Sequence, residues 1–293
     1  MDRVTTRMTA VAAQRQLQAS HARLAEAQDK ASTLDKIGRP SDDPLALGEA
    51  LRVKGLQAAA VQHQRNADDA DGWLSTGDDA LTAVHSLLAK VRDVTVQGAN
   101  QGALSPEARD ALARSVEGLR ADLLQTAGTR YAGRSVFAGT SDAPVAVAAD
   151  GTWNGVPGSS VERRIGPETT VRVDVDGSAV FGTGATSVFA LLDDLAADLR
   201  AGTAVAPRLE DLDARMSAVR AVQGDLGARH AQLLRTKETL IDTSASLEQR
   251  RSDLEDLDLA AAVLDLRLQE TAYQSALAVT AKVLQPTLMD FLR

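Results

Sequence analysis

Residues 212–268 read LDARMSAVRAVQGDLGARHAQLLRTKETLIDTSASLEQRRSDLEDLDLAAAVLDLRL, and every seventh position is apolar: Leu212, Val219, Leu226, Leu233, Leu240, Leu247, Leu254, Ala261 and Leu268. A column repeating at seven falls on one stripe of an α-helix and predicts a coiled-coil-like seam, carried by one long helix from about residue 208 to about Gln285. The companion column, three residues later, is Arg215, Val222, Arg229, Thr236, Thr243, Arg250, Leu257 and Leu264. It is apolar only in part. An autonomous zipper wants both columns apolar, so the middle of this helix is expected to lie against helices of its own chain.

Outward from that helix the rest of the chain is mostly helical too. Val4, Met8, Val11, Leu17, Leu24 and Ala31 mark an amphipathic helix over residues 1–34. Gly38, Pro40 and Pro44 then interrupt it, and Asp43 before Pro44 predicts an N-cap followed by proline at the first helical position. That second helix runs to about Val96 with Leu81, Val84, Leu88 and Val91 on one face, and Gly98 to Gly102 are expected to end it. Ser105 and Pro106 form a fresh cap for a third helix carrying Leu112, Val116, Leu119 and Leu123. Ser187 opens a short helix with Leu191, Leu192, Leu195 and Leu199.

Between about Gly139 and Gly184 the helical period vanishes. Val171, Val173 and Val175 alternate with Arg172, Asp174 and Asp176, which predicts a strand, with Gly177 as a turn residue before Val180 and Phe181. The expected fold is therefore mainly α: an elongated antiparallel helical bundle with paired terminal coiled-coil helices and a small inserted β module. Three parts follow from this: residues 1–37 with 255–293 as a terminal helical domain, 38–139 with 186–254 as a central bundle, and 140–185 as the insertion.

The terminal part has more apolar surface than one chain covers. Leu268, Ala272, Val279 and Val283 form one stripe of the last helix, and Tyr273, Leu277 and Leu284 a neighbouring one. Pro286 should end or kink the helix before Leu288 and Phe291. With Val4, Met8, Val11, Leu17 and Leu24 at one end of the chain and Leu254, Leu257 and Leu264 at the other, these are the candidate assembly residues. Leu268→Asp and Leu277→Asp are expected to harm assembly more than folding.

Composition excludes several functions. Net charge is −8 with basic residues scattered among acidic ones, unlike the concentrated basic face of a nucleic-acid binder. No run approaches the roughly 18 apolar residues of a membrane span, and residues 1–20 lack the apolar core of a cleaved signal peptide, which taken alone reads as cytosolic. Absent cysteines remove thiolate chemistry. Asp69, Asp71, Gly72 and Asp78 mimic part of a calcium loop, but Ala67 stands where its first ligand belongs; they read as a polar face and turn before Trp73. His21, His63, His85 and His230 have no metal-ligand spacing, Gly182-Thr183-Gly184 lacks a phosphate-loop ending, and Ser135 lacks a nucleophile elbow. No enzyme activity, cofactor or metal is expected.

Five stretches occur in an order that resembles the flagellin-like family of flagellar axial proteins. They are Gly38-Arg39-Pro40-Ser41-Asp42-Asp43-Pro44; Gln64-Arg65-Asn66-Ala67-Asp68-Asp69-Ala70 with Trp73-Leu74; Val96-Gln97-Gly98-Ala99-Asn100; Gly133-Arg134-Ser135-Val136-Phe137-Ala138-Gly139; and Leu254 to Leu292 with Thr271-Ala272-Tyr273-Gln274 and Val283-Leu284-Gln285-Pro286. One departure is Leu34, after Ser32-Thr33, where similar proteins have glycine. The resemblance implies a non-enzymatic adaptor of the hook–filament junction, exported by the flagellar type III apparatus without a cleaved signal and so extracellular. Its implied partners are the first hook-associated protein, flagellin, copies of itself in a ring and an export chaperone. Flagellin itself and a cytosolic coiled-coil scaffold are the rival readings.

Overall fold

The computed structural model describes residues 2–41, 43–99 and 105–284. Seven α-helices are present among them: α1 (Asp2–Thr33), α2 (Pro44–Ala99), α3 (Pro106–Ala127), α4 (Gly177–Phe181), α5 (Val188–Ala201), α6 (Arg208–Glu255) and α7 (Leu259–Leu284). Two antiparallel two-stranded sheets join them, β1 (Arg130–Tyr131) with β2 (Arg134–Ser135) and β3 (Glu162–Arg164) with β4 (Thr170–Arg172). The chain divides into two compact units, residues 59–243 and residues 1–58 with 244–293.

The caps sit where local chemistry puts them. Asp43 accepts from the Ala46 amide at 2.9 Å, Ser105 from Ala108 at 3.2 Å and Ser187 from Ala190 at 3.1 Å, each satisfying an amide that the first helical turn leaves free. Gly202 closes α5 in the left-handed conformation, φ 73°. Gly98, expected in a turn, lies inside α2, and the helix continues to Ala99. Its missing side chain makes room for Leu199 of α5, so the glycine serves packing. Nor is there a turn before Trp73. Helix α2 runs through Gly72, where the Tyr131 ring occupies the space a Cβ would need.

In the 59–243 unit a single core forms. Trp73, Leu74, Leu81, Val84 and Leu88 of α2 meet Val116 and Leu123 of α3, Leu192, Leu195 and Leu199 of α5, and the α6 column Leu212, Val219, Leu226 and Leu233. The stretch before α5 joins the same core through Phe137 and Phe181, which meet edge to face at 5.1 Å, and Phe181 in turn packs at 5.7 Å against Phe189 of α5. The expected strand over Val171–Val175 is half realised: regular pairing with β3 ends at Arg172, Val173 and Val175 donate on to the Val161 and Val136 carbonyls at 2.9 and 3.0 Å, and Asp174 is buried along with the three valines. Gly177 starts α4 instead of making a turn, because Asp176 caps that helix by accepting from the Ser178 amide at 2.9 Å.

The expected unbroken last helix is broken. Residues 256–258 leave the helical path, and Leu257 donates its amide to the Leu34 carbonyl at 2.9 Å while Lys36 donates to Glu255 at 2.7 Å. Opposite this break Leu34 is left-handed, φ 61°, a conformation that costs a non-glycine residue about 1–2 kcal/mol. Leu34→Gly removes that strain at some cost in chain entropy, so it is expected to stabilise the chain by about 0.5–1 kcal/mol in urea denaturation.

Acidic residues that imitate a calcium loop are engaged elsewhere. Asp69 pairs with Arg163 at 2.6 Å, Asp78 accepts from Gln223 at 3.1 Å, and Asp71 holds His230 at 2.7 Å and Lys237 at 2.9 Å. Hydrogen bonding from Lys237, opposed by burial and aided by His230, holds the Asp71 carboxyl below its ordinary value of 3.8. A carboxyl lowered on folding stabilises the fold above its unfolded pKa and loses that effect as pH falls through the folded value. Asp71→Asn is therefore expected to cost about 1 kcal/mol at neutral pH, after allowing for solvent screening, with the difference shrinking as pH drops below 3.8. Chemical denaturation of both chains across pH 2 to 7 checks it.

Candidate assembly interface

The terminal helices α1 and α7 run antiparallel. Leu34 meets Leu257 at one end, and thirteen residues back along α1 the His21 ring stands 5.6 Å from Tyr273, sixteen residues on along the other strand of the pair. On α1 the uncharged covered positions are Ala10, Ala13, Leu17, Ser20, Leu24, Ala27 and Ala31, spaced alternately three and four apart. Their counterparts on α7 are Ala262, Leu266, Gln269, Tyr273, Ala276 and Thr280, spaced the same way. These two sets make a coiled-coil seam of mostly small residues, with Ser20, Ala27, Ala262 and Thr280 the most buried. Thr280 satisfies its hydroxyl on the Ala276 carbonyl at 2.7 Å.

A small-residue seam leaves the larger apolar side chains facing away from it. At 100° per residue, Leu264, Leu268 and Val279 fall on the side of α7 opposite Ala262 and Thr280, and they are 69%, 62% and 60% exposed. Leu259, Val263 and Leu277 are exposed along the other flank. Helix α7 carries only Asp265, Arg267, Glu270 and Lys282 as charged residues, so Ala260, Ala261, Leu264, Leu268, Thr271, Ala272, Ser275, Ala278 and Val279 form an uncharged face interrupted only by Lys282 in the last turn. On α1, Met8 and Val11 are exposed as well. Apolar surface of this extent makes the helix pair the candidate assembly face.

Of the candidates taken from the sequence, Met8, Val11, Leu264, Leu268, Leu277 and Val279 are exposed, and Leu17, Leu24, Leu254, Leu257, Ala272 and Tyr273 are partly covered. Val4, Val283 and Leu284 lie in α1 and α7, their side chains outside the described part; Leu288 and Phe291 lie outside the described residues. The seam alanines, Ser20, Leu266 and Thr280 were missed. Counting alanine as apolar finds those of α1, and moving the seven-residue frame by one residue after 258 finds Ala262 and Ala276; Ser20 and Thr280 carry no apolar signal.

Among the described residues no group of three or more His, Asp or Glu side chains could hold a metal ion, and no helix is long and apolar enough to cross a membrane. A groove between α2 and α3 is lined by Ala80, Ala83, Leu87, Lys90, Asp122 and Gln125, without a cluster of reactive side chains.

Comparison with known proteins agrees with this anatomy. Residues 4–142 match the bacterial flagellin N-terminal helical region and residues 209–292 the bacterial flagellin C-terminal helical region. Flagellar hook-associated protein 3 of Escherichia coli is 25% identical over 276 residues, covering 85% of this chain and 86% of that one. A flagellin of Halalkalibacterium halodurans is 24% identical over 272 residues, covering 89% and 88%. In fold the chain is similar to Bacillus cereus FlgL, with TM-score 0.60 at 18% identity over 69% of this chain and 99% of that one, and to the flagellar junction protein FlgL from Legionella pneumophila, with TM-score 0.57 at 17% identity over 70% and 100%. With both helical regions present in order and the α1–α7 pair built from them, the chain belongs to the bacterial flagellin family, in which it is similar to hook-associated protein 3.

Proposed function

We propose that the protein is a structural adaptor of the bacterial flagellum at the hook–filament junction, joining the first hook-associated protein to flagellin. The observation that carries this reading is the uncharged face of α7, with Leu264, Leu268 and Val279 exposed on a helix pair that has no further apolar cover within it. Such a face gains by burial against neighbouring subunits at about 25 cal/mol per Å². Copies of the chain in a ring supply those neighbours. Its role is mechanical, with no catalysis and no cofactor, and it is exported by the type III apparatus with a chaperone that shields apolar surface before assembly. The division proposed for it is terminal helices 1–37 with 255–293 inside, a bundle of 38–139 with 186–254 around them, and 140–185 outermost.

Flagellin is the second reading, favoured by the similarity to a flagellin over most of both chains. Antibody labelling of sheared, purified flagella separates the two. One band where hook meets filament is the expected result; label along the whole filament makes the chain a filament subunit, and unlabelled flagella make it a scaffold of another compartment.

A further inference from the structure

The break between α6 and α7 has no breaker in it. From Ala228 to Leu284 there is neither glycine nor proline, and residues 252–262 read SDLEDLDLAAA, a run in which leucine and alanine favour helix. Both helices press up to the break: Asp256 still donates its amide to Ser252 at 2.9 Å, and Ala262 already donates to Asp258 at 2.9 Å. What interrupts them is partly local, Asp258 capping α7 by accepting from Ala260 at 2.9 Å, and partly the bridge to residues 34–36.

That bridge works against an unfavourable term: Leu34 is left-handed where the bridge sets Asp35 opposite Asp256. Meanwhile the seven-residue column runs through the break without a stutter, as Leu247, Leu254, Ala261 and Leu268. In the broken form that column is abandoned after 254: Ala261 and Leu268 are exposed, and the seam is taken over by Ala262, Leu266, Gln269 and Tyr273, one residue out of phase.

We propose that residues 256–258 are a helix-continuity switch: with the 34–36 bridge made, α6 and α7 are separate, and with it released they close into one helix whose buried column passes through Leu254, Ala261 and Leu268. Closure needs only that the amides of 257–261 return to the carbonyls four residues before them. The rotation of about 100° that comes with a one-residue phase change turns Leu268 from the outside of the pair toward the seam. One segment thus offers two different apolar faces, chosen by whether the bridge is engaged.

The test uses the full chain with two substitutions that release the break. Lys36→Pro removes the amide bonded to Glu255, and Asp258→Ala removes the cap. Cα chemical shifts of Asp256, Leu257 and Asp258 are read by NMR, and spin labels are placed at Arg250→Cys and Asp265→Cys in a chain with no cysteine of its own. The native chain is expected to show non-helical shifts at 256–258. The released chain is expected to show helical ones, with a narrow backbone separation of about 22 Å, fifteen residues at about 1.5 Å each. Adding Leu259→Pro, which suits the first position of a separate α7 but forbids a continuous helix, is expected to restore the non-helical shifts. Leu259 is exposed, so its packing loss is small. Non-helical or disordered shifts in the released chain, or helical shifts that survive Leu259→Pro, overturn the inference.

Discussion

A chain carrying Leu264→Asp together with Leu268→Asp is expected to fold as stably as the parent and to fail in assembly. Both side chains are more than three-fifths exposed and lie outside the α1–α7 seam, so the unfolding free energy is expected to change by no more than about 0.5 kcal/mol. At an interface the account differs. Each leucine loses about 2 kcal/mol of apolar burial, and each new carboxylate must be desolvated with the nearest basic residue of that face, Lys282, about 21 Å or more along the helix. The burial loss alone, about 4 kcal/mol, corresponds to roughly a thousandfold in affinity. Equal denaturation midpoints with no label at the hook–filament junction in cells is the expected pair of results. Normal junctions in the double mutant would move the contact to the flank of Leu259, Val263 and Leu277, where Leu277→Asp then has the larger effect.

Much of this fold is legible in the chain because its signals are local. The caps at Asp43-Pro44, Ser105-Pro106 and Ser187 depend on one side chain and the next three amides. The Leu212 to Leu247 column depends on a repeat that no other element can mimic, and all six of its members are buried. What could not be read is what tertiary contact decides. Residues 256–258 contain neither glycine nor proline, and their break is fixed by the Asp258 cap together with partners more than two hundred residues away in the chain. The seam of the terminal pair is built on alanines, which a hydrophobic stripe drawn through leucines passes over. Asp174 looked like the polar side of a strand and turned out to be the most confined charge in the described structure.

That confinement carries the second large effect. The Asp174 side chain is 1% exposed, and three hydrogen bonds hold it: the Val161 amide at 2.8 Å, Arg172 Nε at 3.0 Å and Arg172 Nη2 at 2.9 Å. Arg229 of α6 approaches from the other side and donates to the carbonyls of Arg172 at 3.3 Å and Asp174 at 3.1 Å. Burial pushes the Arg229 guanidinium down from its ordinary pKa, with Arg172 adding repulsion and Asp174 opposing both. Asp174→Ala therefore removes the carboxylate that Arg172 holds and orphans a buried amide. Breaking a buried pair costs about 3–5 kcal/mol; the partial exposure of Arg172 places this one near the lower end, at about 3 kcal/mol. Asp174→Asn keeps an acceptor for Val161 and is expected to cost about half as much. Urea denaturation should show both as a lowered midpoint at unchanged slope. In a double-mutant cycle, Arg172→Ala is expected to be far less harmful in the Asp174→Ala background than alone, because the buried carboxylate it would strand is already gone; additive losses would mean that Asp174 acts through Val161 and not through the ion pair.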